Sequence, residues 1–232
     1  MKQIIVIGGG GMSREPDNLA LDRYIIEQTV KPRPAVCFLP TASGDSPSLI
    51  VEFYTIFSQL GCRASHLPLF GPLPSDLESF ILEQDVVYVG GGRTRNMLAL
   101  WRDWGLEEIL QKALEDGVIL SGVSAGGICW FQQAVTMVSG NLSVLECLGF
   151  LDNSCCPHYD YQAERRSIYH KFIEQGDISP GYAIEDGVAL HFADGKLQQV
   201  VKSRPEAQAY YVEKISGELI ERPLESTYLL GD

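Results

Sequence analysis

The chain has 232 residues; 45% of them are hydrophobic and 21% are charged, and 30 acidic against 18 basic residues give a formal net charge of −12. This composition is typical of a globular protein and argues against a disordered, collagen-like or coiled-coil chain and against a cysteine-dense mini-scaffold. The negative charge also argues against nucleic acid and anionic membrane surfaces as partners, because it repels phosphate groups at long range.

The first apolar run, over residues 4–7, is too short for a signal peptide or a membrane span, and we interpret it as part of a buried strand. The six cysteines lie in a chain for which we expect no export signal, so we expect reduced thiols rather than a disulfide framework. We therefore expect a cytoplasmic protein.

Short apolar runs alternate with longer amphipathic segments through residues 1–130, which predicts βαβ units and a parallel sheet covered by helices. The predicted strands span 3–7, 35–39, 64–67, 85–89 and 118–120. The predicted helices span 18–28, 47–60, 75–84, 95–101 and 106–115. Strands that are apolar throughout are typical of a sheet buried on both faces.

The pattern changes after Gly140, where we predict a loop-rich stretch, a helix over 162–174 and then short antiparallel strands. Those strands span 182–184, 188–192, 198–201, 209–212 and 218–220. Asp194-Gly195 and Ser216-Gly217 have the residue types of hairpin turns between such strands. No repeat or linker divides the chain, so we predict one α/β domain over residues 1–232.

Two glycine clusters follow predicted strands. Gly8–Gly11 does not complete a dinucleotide fingerprint, because Ser13 and Arg14 occupy the positions of the third glycine, and we interpret it as a tight passage that lets backbone approach a neighbour. Gly90–Gly92 could aim N–H groups into a ligand crevice at the sheet edge, or it could be a simple turn.

The segment Gly122–Gly127 places G-x-S-x-G between a predicted strand and a helix-like segment over 128–132, the context that a nucleophile elbow requires. Such a turn exposes the hydroxyl of its serine, here Ser124, at a helix N-terminus that favours developing negative charge. The backbone N–H groups of Ala125 and Gly92 are then candidate donors to an oxyanion. The alternative is a structural turn.

A serine hydroxyl needs a base, and the chain offers four histidines. His66 precedes any crevice-forming turn and His170 lies in a predicted helix, so we expect structural roles for both. His158 lies in a loop, the type of segment that carries catalytic groups on a rigid scaffold. We favour it over His191, which we expect to be an exposed strand residue.

A third residue should accept the imidazole N–H, and Asp160, Glu185 and Asp186 are the candidates. The last two end a predicted strand and point to opposite sides if extended, so only one of them can serve. Cys155 and Cys156 lie near His158, but adjacent cysteines lack the spacing that closes a zinc site, and we expect no metal.

Taken together, these motifs resemble the peptidase E family of serine peptidases, whose relatives include the cyanophycinases. The resemblance spans nearly the whole chain and depends on Gly90–Gly92, Gly122–Gly126, Pro157-His158 and the turn at 184–187. It implies a three-layer α/β/α fold with a mostly parallel central sheet, like that of class I glutamine amidotransferases. It also implies cofactor-free hydrolysis of small peptides that begin with aspartate.

Position by position, the resemblance implies that Ser124 is the nucleophile, His158 the general base, and Gly92 with Ala125 the oxyanion hole. The acid aligns best with Asp186, and the adjacent Glu185 remains an alternative. The family usually has asparagine where this chain has Arg93.

An acidic substrate must approach a protein of charge −12, so we expect a local cation, Arg93 or Arg95, to pair with its carboxylate.

Two other functions remain open at this stage: an α/β-hydrolase-type esterase that uses Ser124, Asp160 and His191, and a non-catalytic binding module on the same fold. We expect a small peptide as the partner, and a homodimer is left open.

Overall fold

The computed structural model describes residues 1–15, 17–161 and 163–230. The strands of these segments are β1 (Gln3–Ile7), β2 (Ala35–Leu39), β3 (Arg63–His66), β4 (Val86–Val89), β5 (Ile119–Val123), β6 (Phe131–Val138), β7 (Asn141–Glu146), β8 (Leu151–Cys156), β9 (Gly181–Ile184), β10 (Val188–Ala193), β11 (Lys196–Lys202), β12 (Ala209–Ile215), β13 (Glu218–Pro223) and β14 (Thr227–Tyr228). The α-helices are α1 (Ala20–Glu27), α2 (Pro47–Gln59), α3 (Leu77–Leu82), α4 (Thr94–Asp103), α5 (Leu106–Glu115), α6 (Ala125–Ile128) and α7 (Ala163–Gln175).

Most of these strands belong to a large mixed sheet in the order β14-β11-β10-β1-β5-β4-β2-β3. The five strands β1 to β5 are parallel to one another, as predicted. On its other side β1 pairs with β10 in the antiparallel direction, so the sheet continues into strands from the C-terminal part of the chain. The carboxyl ends of β1, β4 and β5 therefore lie side by side at one edge.

Successive side chains of a strand point to opposite faces of the sheet. The apolar strands therefore have apolar side chains on both faces, and helices cover both of them. Ile5 and Ile7 of β1 pack in a core cluster with residues of α1 and α2. Ile4 and Val6 pack in a second cluster with residues of α3, α4 and α5. This is the three-layer α/β/α arrangement predicted from the resemblance.

The predicted elements of the first half are confirmed with small shifts at their ends, and β5 is the instructive difference. We predicted that it ends at Leu120, but it runs to Val123. Ser121 is fully buried and its hydroxyl donates to the carbonyl of Ile5 at 2.8 Å, which satisfies the polar group inside the sheet.

The predictions between residues 128 and 156 were wrong. We predicted a helix-like segment over 128–132, but α6 ends at Ile128 and β6 begins at Phe131. The stretch after Gly140 that we expected to be loop-rich contains β7 and β8. β7 is only half-buried, and residues 152–154 of β8 are polar, so neither strand shows the apolar run that marks a core strand.

A second sheet, in the order β13-β12-β9-β8-β6-β7, contains these strands. Helix α7 packs on it through Tyr169 and Ile173. The helix was predicted over 162–174, and residue 162 lies outside the described residues. The hairpin turns at Asp194-Gly195 and Ser216-Gly217 are confirmed, and all four residues have positive φ angles. The predicted antiparallel strands thus divide between the two sheets.

None of the helices in the described segments has the length and hydropathy of a membrane span.

Candidate active site

Ser124 lies in a sharp turn at the carboxyl end of β5, in the middle of the large sheet. Its backbone is left-handed, with φ 55° and ψ −116°, a strained conformation for a residue other than glycine. The turn needs glycine two residues before and two residues after the serine, because the backbone is crowded at both positions. A Cβ on Gly122 would lie 2.4 Å from the Gly126 carbonyl oxygen, and one on Gly126 would lie 2.2 Å from that of Val89.

The second sheet supplies the imidazole and the carboxylate that approach this serine. β8 and β9 are parallel neighbours, with Cys156 paired with Ala183, so the segments that follow them leave the sheet at the same edge. His158 lies just beyond β8. Asp186 lies just beyond β9, in the turn that leads into β10 of the large sheet. The junction of the two sheets therefore brings together residues that are distant in the chain.

A continuous hydrogen-bonded chain joins the three side chains. His158 Nε2 lies 2.7 Å from Ser124 Oγ, and His158 Nδ1 lies 2.5 Å from Asp186 Oδ1. The side chains of His158 and Asp186 are only 12% and 10% exposed. A hydrogen bond in so protected a place competes little with water.

The charge on Asp186 is stabilised by its neighbours. Burial raises the pKa of this carboxyl group. The hydrogen bond and charge of His158 and the cations Arg14 and Arg204 together lower the pKa by more than burial raises it, so it lies below the ordinary value. An ionised carboxylate only accepts hydrogen bonds, so His158 Nδ1 carries the proton. When the ring is neutral, the lone pair of Nε2 faces Ser124 Oγ, the arrangement that removes a proton from a hydroxyl.

The N-terminal glycine cluster lets the backbone approach this pair, as predicted. A Cβ on Gly9 would lie 1.8 Å from Asp186 Oδ1 and 2.5 Å from His158 Nδ1, so no larger residue fits there without moving them. The Gly9 carbonyl accepts a hydrogen bond from the Gly187 N–H at 2.8 Å, which ties the loop after β1 to the Asp186 turn.

The loop Gly90–Gly92 lies directly against the serine. A Cβ on Gly91 would be 3.5 Å from the Ser124 Cβ. Gly92 has φ 146°, and a Cβ there would be 2.1 Å from the Ala42 carbonyl oxygen, so this close passage requires glycine. Within the described segments the Gly92 N–H donates to no backbone carbonyl. Ala125 is the first residue of α6, where the N–H groups lack partners inside the helix.

A cavity of about 360 Å³ opens over Ser124 and His158, and its walls include Arg14, Ser43 and Gly92. Neither of the predicted cations, Arg93 or Arg95, lines it. Those two side chains line a separate cavity of about 280 Å³ beside the start of α4. We expected one of them to pair with the carboxylate of the substrate, and in this structure neither shares a cavity with Ser124.

The two other candidate acids have different partners. The Glu185 carboxylate accepts from the Gln208 N–H at 2.8 Å. Asp160 Oδ1 accepts from the Asp186 N–H at 2.9 Å, and Asp160 Oδ2 accepts from Arg204 at 3.1 Å. Asp160 therefore holds the turn that presents Asp186, rather than contacting the imidazole.

The remaining histidines lie away from the serine. His191 is 5% exposed, so the expectation of an exposed residue was wrong; β10 is buried on both faces because it lies inside the large sheet. Its ring contacts the Tyr24 hydroxyl at 2.8 Å and Gln3 Oε1 at 3.0 Å. The geometry therefore contradicts an arrangement of Ser124 with His191. His66 contacts the Tyr54 hydroxyl, and His170 contacts the Glu221 carboxylate.

Cys155 and Cys156 are fully buried, and burial raises the pKa of both thiols. Within the described segments no cluster of three or more histidine, cysteine, aspartate or glutamate side chains could hold a metal ion.

Sequence reasoning missed Arg14 and Arg204 in the surroundings of Asp186. Arg14 Nη1 donates to Asp186 Oδ2 at 3.3 Å, and Arg204 donates to the Asp186 carbonyl. The position of Arg14 just after a strand of the parallel sheet was an available signal, because such loops lie at the ligand-binding edge. Nothing in the local pattern pointed to Arg204, which follows β11.

Comparisons with known proteins give the family of this chain. The model of peptidase family S51 matches residues 4–200. The chain is 53% identical over 229 residues to the uncharacterized peptidase YgaJ of Bacillus subtilis (strain 168), covering 99% of this chain and 100% of that protein.

Two solved structures share the fold. A peptidase from an acI-B1 Actinobacterium has a TM-score of 0.73 at 18% identity, covering 100% of this chain and 97% of the other. A candidate peptidase E protein from Listeria monocytogenes EGD-e has a TM-score of 0.59 at 18% identity, covering 97% and 100%. These likenesses establish the class I glutamine amidotransferase-like α/β fold expected from the sequence.

Proposed function

The chain belongs to peptidase family S51, a family of serine peptidases that includes peptidase E, and from this premise we propose that Ser124, His158 and Asp186 are its catalytic triad. We further propose that its substrates are small peptides, above all dipeptides, that begin with aspartate. The observation that carries the proposal is the unbroken chain of hydrogen bonds from Ser124 Oγ through the imidazole to Asp186.

In the first half of the reaction, His158 Nε2 accepts the Ser124 proton as Oγ attacks the peptide carbonyl. The carbonyl oxygen becomes an oxyanion, for which the N–H groups of Gly92 and Ala125 are the proposed donors. Each such donor contributes about 10²–10³ in rate. Asp186 stabilises the imidazolium and keeps its proton on Nδ1.

The tetrahedral intermediate then collapses, and the peptide C–N bond breaks. The His158 imidazolium gives its proton to the leaving amine, which departs as the shortened peptide or free amino acid. Water enters, loses a proton to His158, and attacks the ester that joins the acyl group to Ser124. The second collapse returns the proton to Ser124 and releases the acid.

Two features of the cavity support a small acidic substrate. Its volume of about 360 Å³ is near the low end of the range for small-molecule sites, which favours a dipeptide over a long chain. Its ionisable wall residues within the described segments are Arg14 and His158, with no carboxylate among them, although the whole chain has 30 acidic residues.

The test combines a dipeptide panel, varied at the first residue, with labelling by a neutral fluorophosphonate. We expect the protein to cleave Asp-X dipeptides and to be labelled at Ser124, and Ser124→Ala to lose both properties. Ser167→Ala, which changes an exposed serine of α7, is the matched control and should retain both. A folded wild-type protein that neither cleaves the panel nor reacts at Ser124 would favour a binding module instead.

A further inference from the structure

The catalytic cavity contains one permanently charged side chain among its described wall residues, that of Arg14. Arg14 follows the short 3₁₀ turn at Gly11–Ser13, and its N–H donates to the Gly11 carbonyl at 3.1 Å. The next residue, Glu15, accepts from the Ser203 hydroxyl at 3.1 Å and lies 3.5 Å from Arg204. The backbone that carries Arg14 is therefore anchored on both sides.

The guanidinium group of Arg14 is oriented but keeps donors for a ligand. Its Nη1 makes a long hydrogen bond of 3.3 Å to Asp186 Oδ2, and its Cζ lies 4.7 Å from the centre of the Tyr161 ring. A guanidinium has five N–H donors, and within the described segments Asp186 is the acceptor observed for them. The side chain is 44% exposed, so the remaining donors are open to the cavity.

An acidic substrate needs a nearby cation because the protein as a whole repels it. A guanidinium suits this purpose, since two of its parallel N–H groups match the two oxygens of a carboxylate. Arg93 and Arg95 line a separate cavity, beside Met137 and Ser139, rather than the cavity that contains Ser124. Arg14 and Ser124 line the same cavity, so one small molecule can contact both.

We propose that Arg14 binds the side-chain carboxylate of the first residue of the substrate and is the residue that determines the preference for acidic peptides. This inference rests on the proposed function and adds the specificity subsite to it. Arg14 holds this side-chain carboxylate of the substrate while Ser124 attacks the backbone carbonyl of the same residue. The bond from Arg14 to Asp186 keeps the guanidinium in place before the substrate arrives.

The test compares Asp-X with Asn-X dipeptides, because aspartate and asparagine have nearly the same shape and differ in charge. Arg14→Leu should lower the ratio of kcat/KM for Asp-X over Asn-X by about 10- to 100-fold, the loss expected for a charge-assisted pair. Arg14→Gln, which keeps a polar group with two N–H donors but removes the charge, should lower it similarly. Arg14→Lys should keep part of the preference. The ratio cancels any damage to chemistry that both substrates share.

Two arginine controls make the assignment specific. Arg63→Leu changes an exposed arginine at the amino end of β3, far along the sheet, and should leave the ratio unchanged. Arg95→Leu tests the competing cavity and should also leave it unchanged. A loss of preference in Arg95→Leu with retention in Arg14→Leu would overturn the inference.

The failure of the inference and that of the proposed function are distinguishable. If the wild-type enzyme prefers Asp-X, and Arg14→Leu and Arg14→Gln prefer it to the same degree, the role of Arg14 alone is overturned. A wild-type enzyme that is labelled at Ser124 but shows no preference for Asp-X overturns both the acidic substrate and the inference. Absence of labelling and of turnover removes the hydrolase itself.

Discussion

Asp186 Oδ1 lies 2.5 Å from His158 Nδ1, on the side of the imidazole ring opposite Ser124. This contact selects the tautomer in which Nε2 is free to accept the serine proton. The other carboxylate oxygen, Oδ2, accepts from Arg14. One buried carboxylate therefore connects the proposed catalytic histidine with the proposed substrate-binding cation.

Asp186→Asn should lower kcat by about 10⁴-fold, because an amide in this place favours the wrong imidazole tautomer. The measurement is kcat with the best dipeptide substrate, together with the rate of fluorophosphonate labelling. Glu185→Gln is the matched control, and it should retain most activity because Glu185 binds the Gln208 N–H instead of the histidine. If Glu185→Gln lost activity as severely as Asp186→Asn, the choice between the two acids would be reversed.

Gly9→Ala should lower the labelling rate of Ser124 by about 10²-fold, since a displacement of about 1 Å in a catalytic group has this effect. The new methyl group would overlap Asp186 Oδ1 at 1.8 Å and push the carboxylate away from the imidazole. Gly71→Ala is the control, because its Cβ would lie 3.7 Å from Pro68 Cβ, an ordinary contact. Equal labelling rates in Gly9→Ala and the wild type would contradict the observed approach.

His191→Ala should destabilise the protein without removing its activity. The ring is buried and bonded to Tyr24 and Gln3, so its loss leaves buried polar groups unpaired and should lower the free energy of unfolding by about 1–3 kcal/mol. Urea unfolding and dipeptide turnover at 20 °C measure the two effects. His158→Ala should show the opposite pattern, a stable protein without turnover. Loss of turnover in folded His191→Ala would restore the esterase arrangement.

Asp22→Asn should remove a pH dependence of stability. Asp22 of α1 is fully buried, and burial raises its pKa from 3.8 to about 7, more than the nearby Tyr88 hydroxyl lowers it. Between these two values the folded state binds a proton that the unfolded state has released, so the free energy of unfolding falls as the pH rises. Above about pH 7 both states are ionised and the difference stays constant.

The stability of Asp22→Asn relative to the wild type should therefore increase steadily from pH 4 to pH 7 and then level off. Asp177→Asn, which makes the same change of charge on the surface, should show no such trend. Denaturant midpoints measured at several pH values test this. A constant difference between Asp22→Asn and the wild type over that range would show that Asp22 is ionised in the folded protein.

Much of the fold followed from local patterns. The parallel strands were predicted because most of them are short apolar runs and most are followed by glycine, proline or threonine. The strands of the second sheet between residues 131 and 156 were not predicted, because a half-exposed strand such as β7 acquires its apolar face only by pairing with neighbours. The burial of His191 was missed for a related reason: whether a strand is covered on one face or two depends on its place in the sheet.

Among the residues of the site, Ser124 was predictable because the sequence pattern of the elbow lies within six consecutive residues, Gly122–Gly127. His158 could be predicted as a loop residue but not positioned. The choice between Glu185 and Asp186 stayed open, since two adjacent residues point to opposite sides and only the pairing of β9 with β8 decides which one faces the imidazole. Arg14, the cation that lines the same cavity as Ser124, lies in another part of the chain.

The amino-acid sequence by itself thus determined the α/β class and the serine on its strained turn, because short-range sterics and hydrophobic periodicity are written in consecutive residues. Only the tertiary structure decided which acid orients His158, and that Arg14 rather than Arg93 or Arg95 shares a cavity with the serine. Those relationships depend on how two sheets meet and where β1, β5, β8 and β9 end. Contacts between distant segments are set by the packing of the whole chain, which no local pattern encodes.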